Sequence, residues 1–441
     1  MSMKLEQQQE NESTPDVITL LTPLQLGALS LPNRIVMSPM TRARSTDGVP
    51  TDIEVKYYSQ RASAGLIITA GIYISRMAVG GINVPGIYTD QQIDSWQRIN
   101  EAVHSAGGRI FAQLSHSGSV SHLSLLNGDT PVDPSAVNPR QKVMSASGYV
   151  DTVEPRALMT SEIRAIVEEY RTAAVNAKKA GFDGIEVHGA NVYLLPEFLN
   201  TSTNLRQDEY GGTLENRARI VVEVLNAIGT VWDHERIGLK LSPAISGIGT
   251  YTAVEHILKW LNDFSPAYLH LRRGFDTNRN PIEMLREHTF EHYRDVFRGT
   301  LIGNGGFDLA TANAHVERES VDLVSFARHY ISNPDLVDRF RGNQALSPSD
   351  PSTYYKGESK GYVDIPASVL ERSYRVIYRR RLPFLERSYR EWCAVGFRPH
   401  NERGNCVIVG KGSQKYLKNR RHPASISARS EREQISGCCS R

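Results

Sequence analysis

From Val17 onward, short apolar runs alternate with longer stretches in which apolar residues recur at helical spacing. The runs predict strands at Arg34–Ser38, Gly65–Ala70, Arg109–Leu114, Gly184–His188, Ile237–Leu241, Ala267–Leu271, Thr300–Gly303 and Val321–Ser325. The periodic stretches predict helices, clearest at Asp94–Ala106, Thr160–Ala180, Leu214–Thr230 and Val254–Phe264. Most strand candidates are apolar at consecutive positions, as strands are when both faces of a sheet are covered. Eight such runs with helices between most of them predict a parallel sheet closed into a (β/α)8 TIM barrel. An open doubly wound sheet would want a glycine-rich fingerprint after its first strand. Met37–Arg42 reads MSPMTR, which argues against it. Two short apolar pieces about Gly27, within Leu24–Leu31, predict an N-terminal hairpin capping the barrel bottom. The Ser-, Gly-, Asn- and Pro-rich stretch Ser115–Met159 is too long for an ordinary connection and predicts an excursion over the face where the strands end.

Composition adds limits. The chain has 441 residues, 40% hydrophobic and 22% charged, enough apolar material for a large core. Single α/β barrels commonly reach about 250 residues or more. No apolar run approaches the ~18 residues of a membrane helix, so no membrane span is expected. Met1–Pro15 is polar, without the apolar segment and cleavage site of a signal peptide, and the expected location is cytoplasmic. Charge is uneven: from Ala367 to Arg441 there are 17 Lys/Arg against 6 Asp/Glu, while the rest holds 34 against 42. All four cysteines (Cys393, Cys406, Cys438, Cys439) lie in that tail, at spacings that fit no zinc motif. The expected organisation is therefore a disordered stretch 1–17, a barrel domain 18–366 and a basic, irregular tail 367–441. ERSYR occurs twice in the tail, at Glu371–Arg375 and Glu386–Arg390, and reads as a solvated basic segment. VGKGSQK at Val409–Lys415 lacks the first glycine of a phosphate loop and reads as a turn. Basic tails can touch nucleic acid or anionic membrane, but no nucleic-acid partner is expected here.

In a barrel the reactive groups sit just after the strands, at the C-terminal face. After the fourth predicted strand the chain reads HGANVYLLPEFLN from His188, so His188, Asn191 and Tyr193 leave the strand within a few residues. An imidazole and a carboxamide can hold a carbonyl or nitro oxygen and stabilise charge developing there. A phenol is a weak acid suited to deliver a proton to a carbanion-like centre. The competing reading is that His188 and Tyr193 merely pack.

A wider pattern then becomes visible: NRIVMSPMTRAR at Asn33–Arg44, YYSQRAS at Tyr57–Ser63, PGIY at Pro85–Tyr88, QLSH at Gln113–His116 and DEYGGTLENR at Asp208–Arg217. It continues with LKLSP at Leu239–Pro243, IGNGGF at Ile302–Phe307, ARHYISNPDLVDRF at Ala327–Phe340 and TYYKGESKGYVDIP at Thr353–Pro366. In order and spacing these resemble the old yellow enzyme family of FMN-dependent ene reductases, over roughly Leu20–Pro366.

The resemblance implies a tightly bound, non-covalent FMN and NADPH or NADH as electron donor. It implies that Pro39, Met40 and Thr41 line the flavin near C4 and N5, and that Gly71 lets the backbone approach the ring. Gln113 would pair with the pyrimidine edge through an amide that both donates and accepts. Asn304, Gly305 and Gly306 would face the phosphate with their amides, Ala327 would stand where the backbone closes on it, and Arg328 would supply a forked cation. His188 and Asn191 would hold the substrate oxygen, Tyr193 would protonate, and Tyr355 would close the substrate site, with Tyr354 nearby. The implied reaction passes hydride from NAD(P)H through flavin N5 to the activated C=C bond of an α,β-unsaturated carbonyl, an electron-poor alkene, in a monomer or homodimer. Alternatives are a related FMN barrel reducing nitroesters or quinones, a flavin-binding protein with little turnover, and a metal-dependent aldolase-like barrel, which no carboxylate/His cluster recommends.

Five departures stand out. Lys240 replaces the usual arginine beside the flavin N1–C2 edge, keeping charge but losing the planar fork. Val192 replaces a glycine, which is costly if the position needs positive φ. Ser115 and Ser119 stand where Trp and Arg are usual, and Ala327 replaces a glycine beside Arg328.

Overall fold

The structure is a computed structural model that describes residues 18–242, 250–273 and 290–365. The expected stretches 1–17 and 367–441 lie outside the described residues. A hairpin of β1 (Leu24–Leu26) and β2 (Leu29–Leu31) comes first, turning on Gly27 at φ +51°. There follow β3 (Ile35–Met37), β4 (Leu66–Tyr73) and β5 (Ile110–Ser115). An excursion then carries β6 (Val132–Asp133), β7 (Lys142–Ser145), β8 (Gly148–Asp151) and β9 (Arg156–Ala157). The last five strands are β10 (Gly184–Gly189), β11 (Ile237–Leu241), β12 (Tyr268–Arg272), β13 (Leu301–Asn304) and β14 (Leu323–Phe326). Strands β3, β4, β5, β10, β11, β12, β13 and β14 pair in parallel, in that order, and β14 returns to β3 to close a barrel. Each coincides with one of the predicted runs to within three residues at either end.

Helices cover the outside. α1 spans Asp52–Ser59, α2 Asp90–Ser105, α3 Thr160–Lys179, α4 Leu194–Leu199, α5 Leu214–Gly229 and α6 Thr250–Phe264. In α2 the buried Ile93, Trp96, Ile99 and Val103 recur every three or four residues, the stripe that faces the sheet. Short helices at Phe290–Val296, Leu309–Glu317, Arg328–Ser332 and Leu336–Arg341 complete the layer. These four, with α1 and α4, were not among the predicted helices. None exceeds nine residues, too few turns for a periodic signal to stand out.

Inside the barrel the side chains form two layers. Val36, Phe111, Tyr268, Ile302 and Leu323 pack with Leu26, Leu29 and Leu31 of the hairpin, which plugs the bottom as expected. Strands place every second residue on one face. Two residues onward along the same strands stand Ser38, Gln113, His270, Asn304 and Ser325, with Glu186 and Lys240 at the corresponding level of β10 and β11. The interior thus changes from apolar to polar toward the strand ends. At that level β4 carries a register irregularity between Ile68 and Gly71. The Thr69 hydroxyl accepts from the Gln113 amide at 3.1 Å and the Ala70 amide donates to the Tyr58 hydroxyl at 3.0 Å, so the backbone groups displaced from the ladder stay paired.

One buried cation ties the region after α1 to the short helix Arg328–Ser332. The Arg61 guanidinium, in the YYSQRAS motif, donates to the carbonyls of Tyr57 (2.8 Å), Tyr330 (3.0 Å) and Ile331 (3.3 Å) and lies 3.8 Å above the Tyr57 ring. Arg61→Met should leave these carbonyls without a donor in the core and cost about 3 kcal/mol, measured as a lower urea midpoint. A midpoint equal to that of the parent chain would show that the guanidinium is dispensable.

Candidate active site

Two adjoining cavities open at the strand ends, of about 330 Å³ and about 620 Å³. Pro39, Gln113, His188, Asn191, Ala327 and Arg328 line both. Met40, Thr41, Gly71, Tyr193 and Tyr355 line the first, and Lys240, Asn304, Gly305 and Gly306 the second. Every site residue expected from the sequence therefore faces this one region, although they come from β3, β4, β5, β10, β11, β13, β14 and the C-terminal segment.

His188 leaves β10 almost fully buried, and its Nδ1 has no hydrogen-bond partner among the described residues. Burial, aided by the Lys240 charge, pushes the imidazole down to about 3, so it is neutral and can offer a ring N–H without a net charge. Asn191 follows at φ +66°, a conformation Asn tolerates better than most residues. Its carboxamide oxygen accepts from Arg272 at 2.5 Å, which leaves the NH2 as the group available to a ligand. The left-handed residue of this turn is Asn191 and not Val192, which corrects the concern about the β-branched substitution. Tyr193 caps the start of α4, its ring 5.1 Å from His188 and edge-on to it. Burial, reinforced by Tyr355, raises the phenol above its ordinary value, so it keeps its proton through neutral pH. All three line the first cavity: two neutral N–H donors and one weak acid.

Beneath them Gln113 is committed. Its Nε2 donates to Glu186 at 2.6 Å, so the carbonyl oxygen is turned toward Gly71 and the cavity. An amide NH2 carries two hydrogens, so the bond to Glu186 leaves one donor beside the acceptor oxygen, and the expected pairing through both is compatible with this geometry. A Cβ on Gly71 would meet the Ser115 Cβ at 3.5 Å and the Gln113 Oε1 at 3.6 Å, ordinary contacts, so the space it would take belongs to the cavity. Lys240 is buried beside His188 and His270 in the strand register. Burial lowers its ammonium to about 8, with Glu186 opposing the shift and Arg272 adding to it.

At the far end, Gly305 cannot bear a side chain, because a Cβ would lie 2.8 Å from that of Arg273, and Gly306 sits at φ +75°. The Asn304 amide is spent on Ser325 and Ser38, which ties the loop to β14 and to the end of β3. Ala327 has φ −99°, ordinary for an L residue, so the missing glycine there is harmless. The roof comes from 353–361. Arg42 donates to the carbonyls of Tyr354 (2.9 Å) and Gly361 (2.8 Å), and Arg44 to those of Thr353 (2.7 Å) and Tyr354 (2.8 Å). Together they hang Tyr355 over the first cavity. These arginines were legible only as part of a motif. Tyr73, Ser117, Arg272 and Arg273 also line the cavities and carried no sequence signal of their own.

Residues 19–347 match the sequence model of the NADH:flavin oxidoreductase / NADH oxidase family, and the chain belongs to that family. It is similar to 12-oxophytodienoate reductase 7 of Oryza sativa subsp. japonica, 37% identical over 382 residues, covering 81% of this chain and 96% of that protein. A flavin oxidoreductase of Emericella nidulans is 37% identical over 379 residues, covering 79% and 97%. Among solved structures, morphinone reductase is 43% identical with a TM-score of 0.74, covering 79% of this chain and 96% of that one. The old yellow enzyme homologue from Zymomonas mobilis is 38% identical with a TM-score of 0.75, covering 79% and 99%. The protein is an NAD(P)H-dependent flavin oxidoreductase of the old yellow enzyme type, with FMN as cofactor. The cavities fit that group: ring-sized space against Gly71, an acceptor at Gln113, a cation at Lys240, and a side-chain-free loop between Arg273 and Arg328 for a phosphate. No helix among the described residues is long and apolar enough to cross a membrane.

Behind the Tyr193 turn lies a second polar group. A Cβ on Gly118 would lie 2.7 Å from Asp133 Oδ1 and 3.0 Å from the Leu194 Cα, so Asp133 abuts the base of α4. Asp133 Oδ2, Glu197 Oε2 and the Ser119 hydroxyl have no hydrogen-bond partner among the described residues. Burial, then the Glu197 charge, raises the Asp133 carboxyl well above its ordinary 3.8. The folded protein therefore holds this proton to higher pH than the unfolded chain, and stability falls as pH rises through that window. Asp133→Asn should raise the melting temperature at pH 7 to 8, by the equivalent of about 1 kcal/mol, with the gain vanishing below pH 4. An equal effect at all pH values would contradict this.

Proposed function

We propose that the chain reduces the activated double bond of α,β-unsaturated aldehydes or ketones at the expense of NAD(P)H. The observation that carries this reading is that His188, Asn191, with its NH2 uncommitted, and Tyr193 line one cavity together. FMN, when bound, supplies a two-electron carrier that accepts hydride from the nicotinamide and passes it to the acceptor. His188 and Asn191 hold the acceptor's carbonyl oxygen between two N–H donors, which draws electron density from the β carbon and stabilises the charge that reaches the oxygen. Because the imidazole is neutral, it polarises without giving up a full proton. Net reduction needs hydride at the β carbon and a proton at the α carbon, and Tyr193 is the group placed to supply the proton. Its raised pKa suits that task, since the phenol stays loaded until a strong base forms beside it. Tyr355 and the Arg42/Arg44-held segment cover the site and limit access of water. Pro39, Met40, Thr41, Gly71, Gln113 and Lys240 line the flavin ring in this reading, while Asn304, Gly305, Gly306, Ala327 and Arg328 surround its phosphate. The relatives' names, reductases of 12-oxophytodienoate and of morphinone, place oxo compounds among the acceptors of similar proteins.

Stopped-flow measurement of the two half-reactions tests the assignment. Tyr193→Phe should slow reoxidation by an enone about 100-fold or more and leave flavin reduction by NADPH within a few-fold of the parent rate. Equal losses in both half-reactions would reject Tyr193 as the proton donor. Turnover of a nitroester or a quinone, with none of an enone, would reject the substrate class.

A further inference from the structure

One buried carboxylate lies inside the barrel directly under the site, and the reduction chemistry above does not use it. Glu186, on β10, is 0% exposed, as is His270 on β12. Its two oxygens are divided: Oε1 accepts from Gln113 Nε2 at 2.6 Å, and Oε2 is 2.8 Å from His270 Nδ1. His270 Nε2 continues to the Ser325 hydroxyl at 2.8 Å, which accepts from Asn304 Nδ2 at 2.8 Å. A single polar chain therefore crosses the barrel from β5 through β10, β12 and β14 to β13. A buried carboxylate is costly unless it is charge-balanced and hydrogen-bonded. Burial works against ionisation of Glu186, but His270, the Lys240 ammonium and the Gln113 amide together outweigh it and keep the carboxyl below its ordinary value. His270 itself is pushed down to about 4 by burial and by Lys240. Of the other titratable neighbours, Tyr268 has its phenol raised by burial and by the Glu186 charge, and His188 is neutral. One negative charge, Glu186, thus stands behind the cavity lining and one positive charge, Lys240, within it.

We propose that Glu186 is a positioning residue for the flavin site, which turns the Gln113 carbonyl toward the ring and offsets the Lys240 charge, so setting how readily the bound cofactor accepts electrons. This rests on Gln113 and Lys240 facing the ring as proposed above. The two tasks separate chemically. Orientation needs both oxygens at their present reach, whereas the electrostatic task needs only the charge. A fixed negative charge beneath the ring opposes the negative charge that reduction adds, and Lys240 favours it.

Spectroscopic titration of the FMN-bound protein at pH 6, where Lys240 keeps its proton, tests this against a redox dye. Glu186→Gln should raise the affinity of reduced over oxidised flavin about tenfold, a rise of about 30 mV for a two-electron couple. Glu186→Asp keeps the charge but shortens the reach. It should leave the potential near that of the parent while weakening FMN binding about tenfold, read by flavin fluorescence. Lys240→Met should lower the potential, and Glu186→Gln combined with Lys240→Met should return it toward the parent value. That double variant also carries the test if Glu186→Gln alone does not fold. A potential unchanged or lowered in Glu186→Gln, or a double variant as low as Lys240→Met, overturns the proposal. A parent protein that binds no FMN would instead overturn the assignment of the ring-facing residues on which it rests.

Discussion

A barrel strand sends alternate residues inward, and a polar group placed there has no water to turn to. Most of the site follows from how this chain meets that constraint. The lower interior is apolar and closed by the hairpin. The upper interior is polar, and its groups satisfy one another through Glu186, His270, Ser325 and Asn304. Because each of these side chains is held by a neighbour on another strand, the atoms left over have defined directions: the Gln113 oxygen, the Lys240 ammonium and the His188 ring. A site assembled on rigid strands and braced from below needs little rearrangement to receive a ligand.

The upper wall is built on a different principle. Tyr355 lies more than 300 residues from the turn that holds its segment, and nothing in its local sequence places it. The placement is made by Arg42 and Arg44, whose forks satisfy carbonyls of 353–361 that no regular structure pairs. Arginine suits the task because its five donors lie in fixed directions and stay charged at any working pH. The floor is thus held by side chains bonding to side chains across strands, and the roof by side chains bonding to backbone across the length of the chain.

These differences explain what the sequence disclosed. Barrel strands were legible because both faces are covered and the runs are continuous, and the long helices because their stripes repeat over four turns. His188, Asn191 and Tyr193 were legible because they leave a strand together. Glu186, His270 and Lys240 belong to another category. Within GIEVHG, YLHLR and IGLKL they are polar residues at alternate positions of otherwise apolar strands, a pattern that also fits a surface-facing alternation, and only Lys240 was placed in the site beforehand, by the resemblance. Only the register, which sets His188 beside Lys240 and Lys240 beside His270, shows that they meet inside. Arg61 and Arg217 were visible in motifs, but their work is structural: Arg217 donates to the carbonyl of Leu199 at 3.1 Å, bracing the loop that follows α4.

The departures from the family pattern sort by the same physics. Those that concern backbone, Val192 and Ala327, cost little, since the left-handed residue is Asn191 and Ala327 adopts an ordinary conformation. Those that concern charge have consequences. Lys240 substitutes a cation that burial has lowered to about 8 for one that does not titrate, so the charge at that position depends on its surroundings. Ser119 takes away a cation altogether, and the nearby Asp133 and Glu197 respond by holding their protons, the cheaper course for a buried acid without a counter-ion. The same fold therefore tolerates the loss of a fixed charge in two ways, by making the remaining cation depend on a carboxylate beside it and by neutralising the acids left behind.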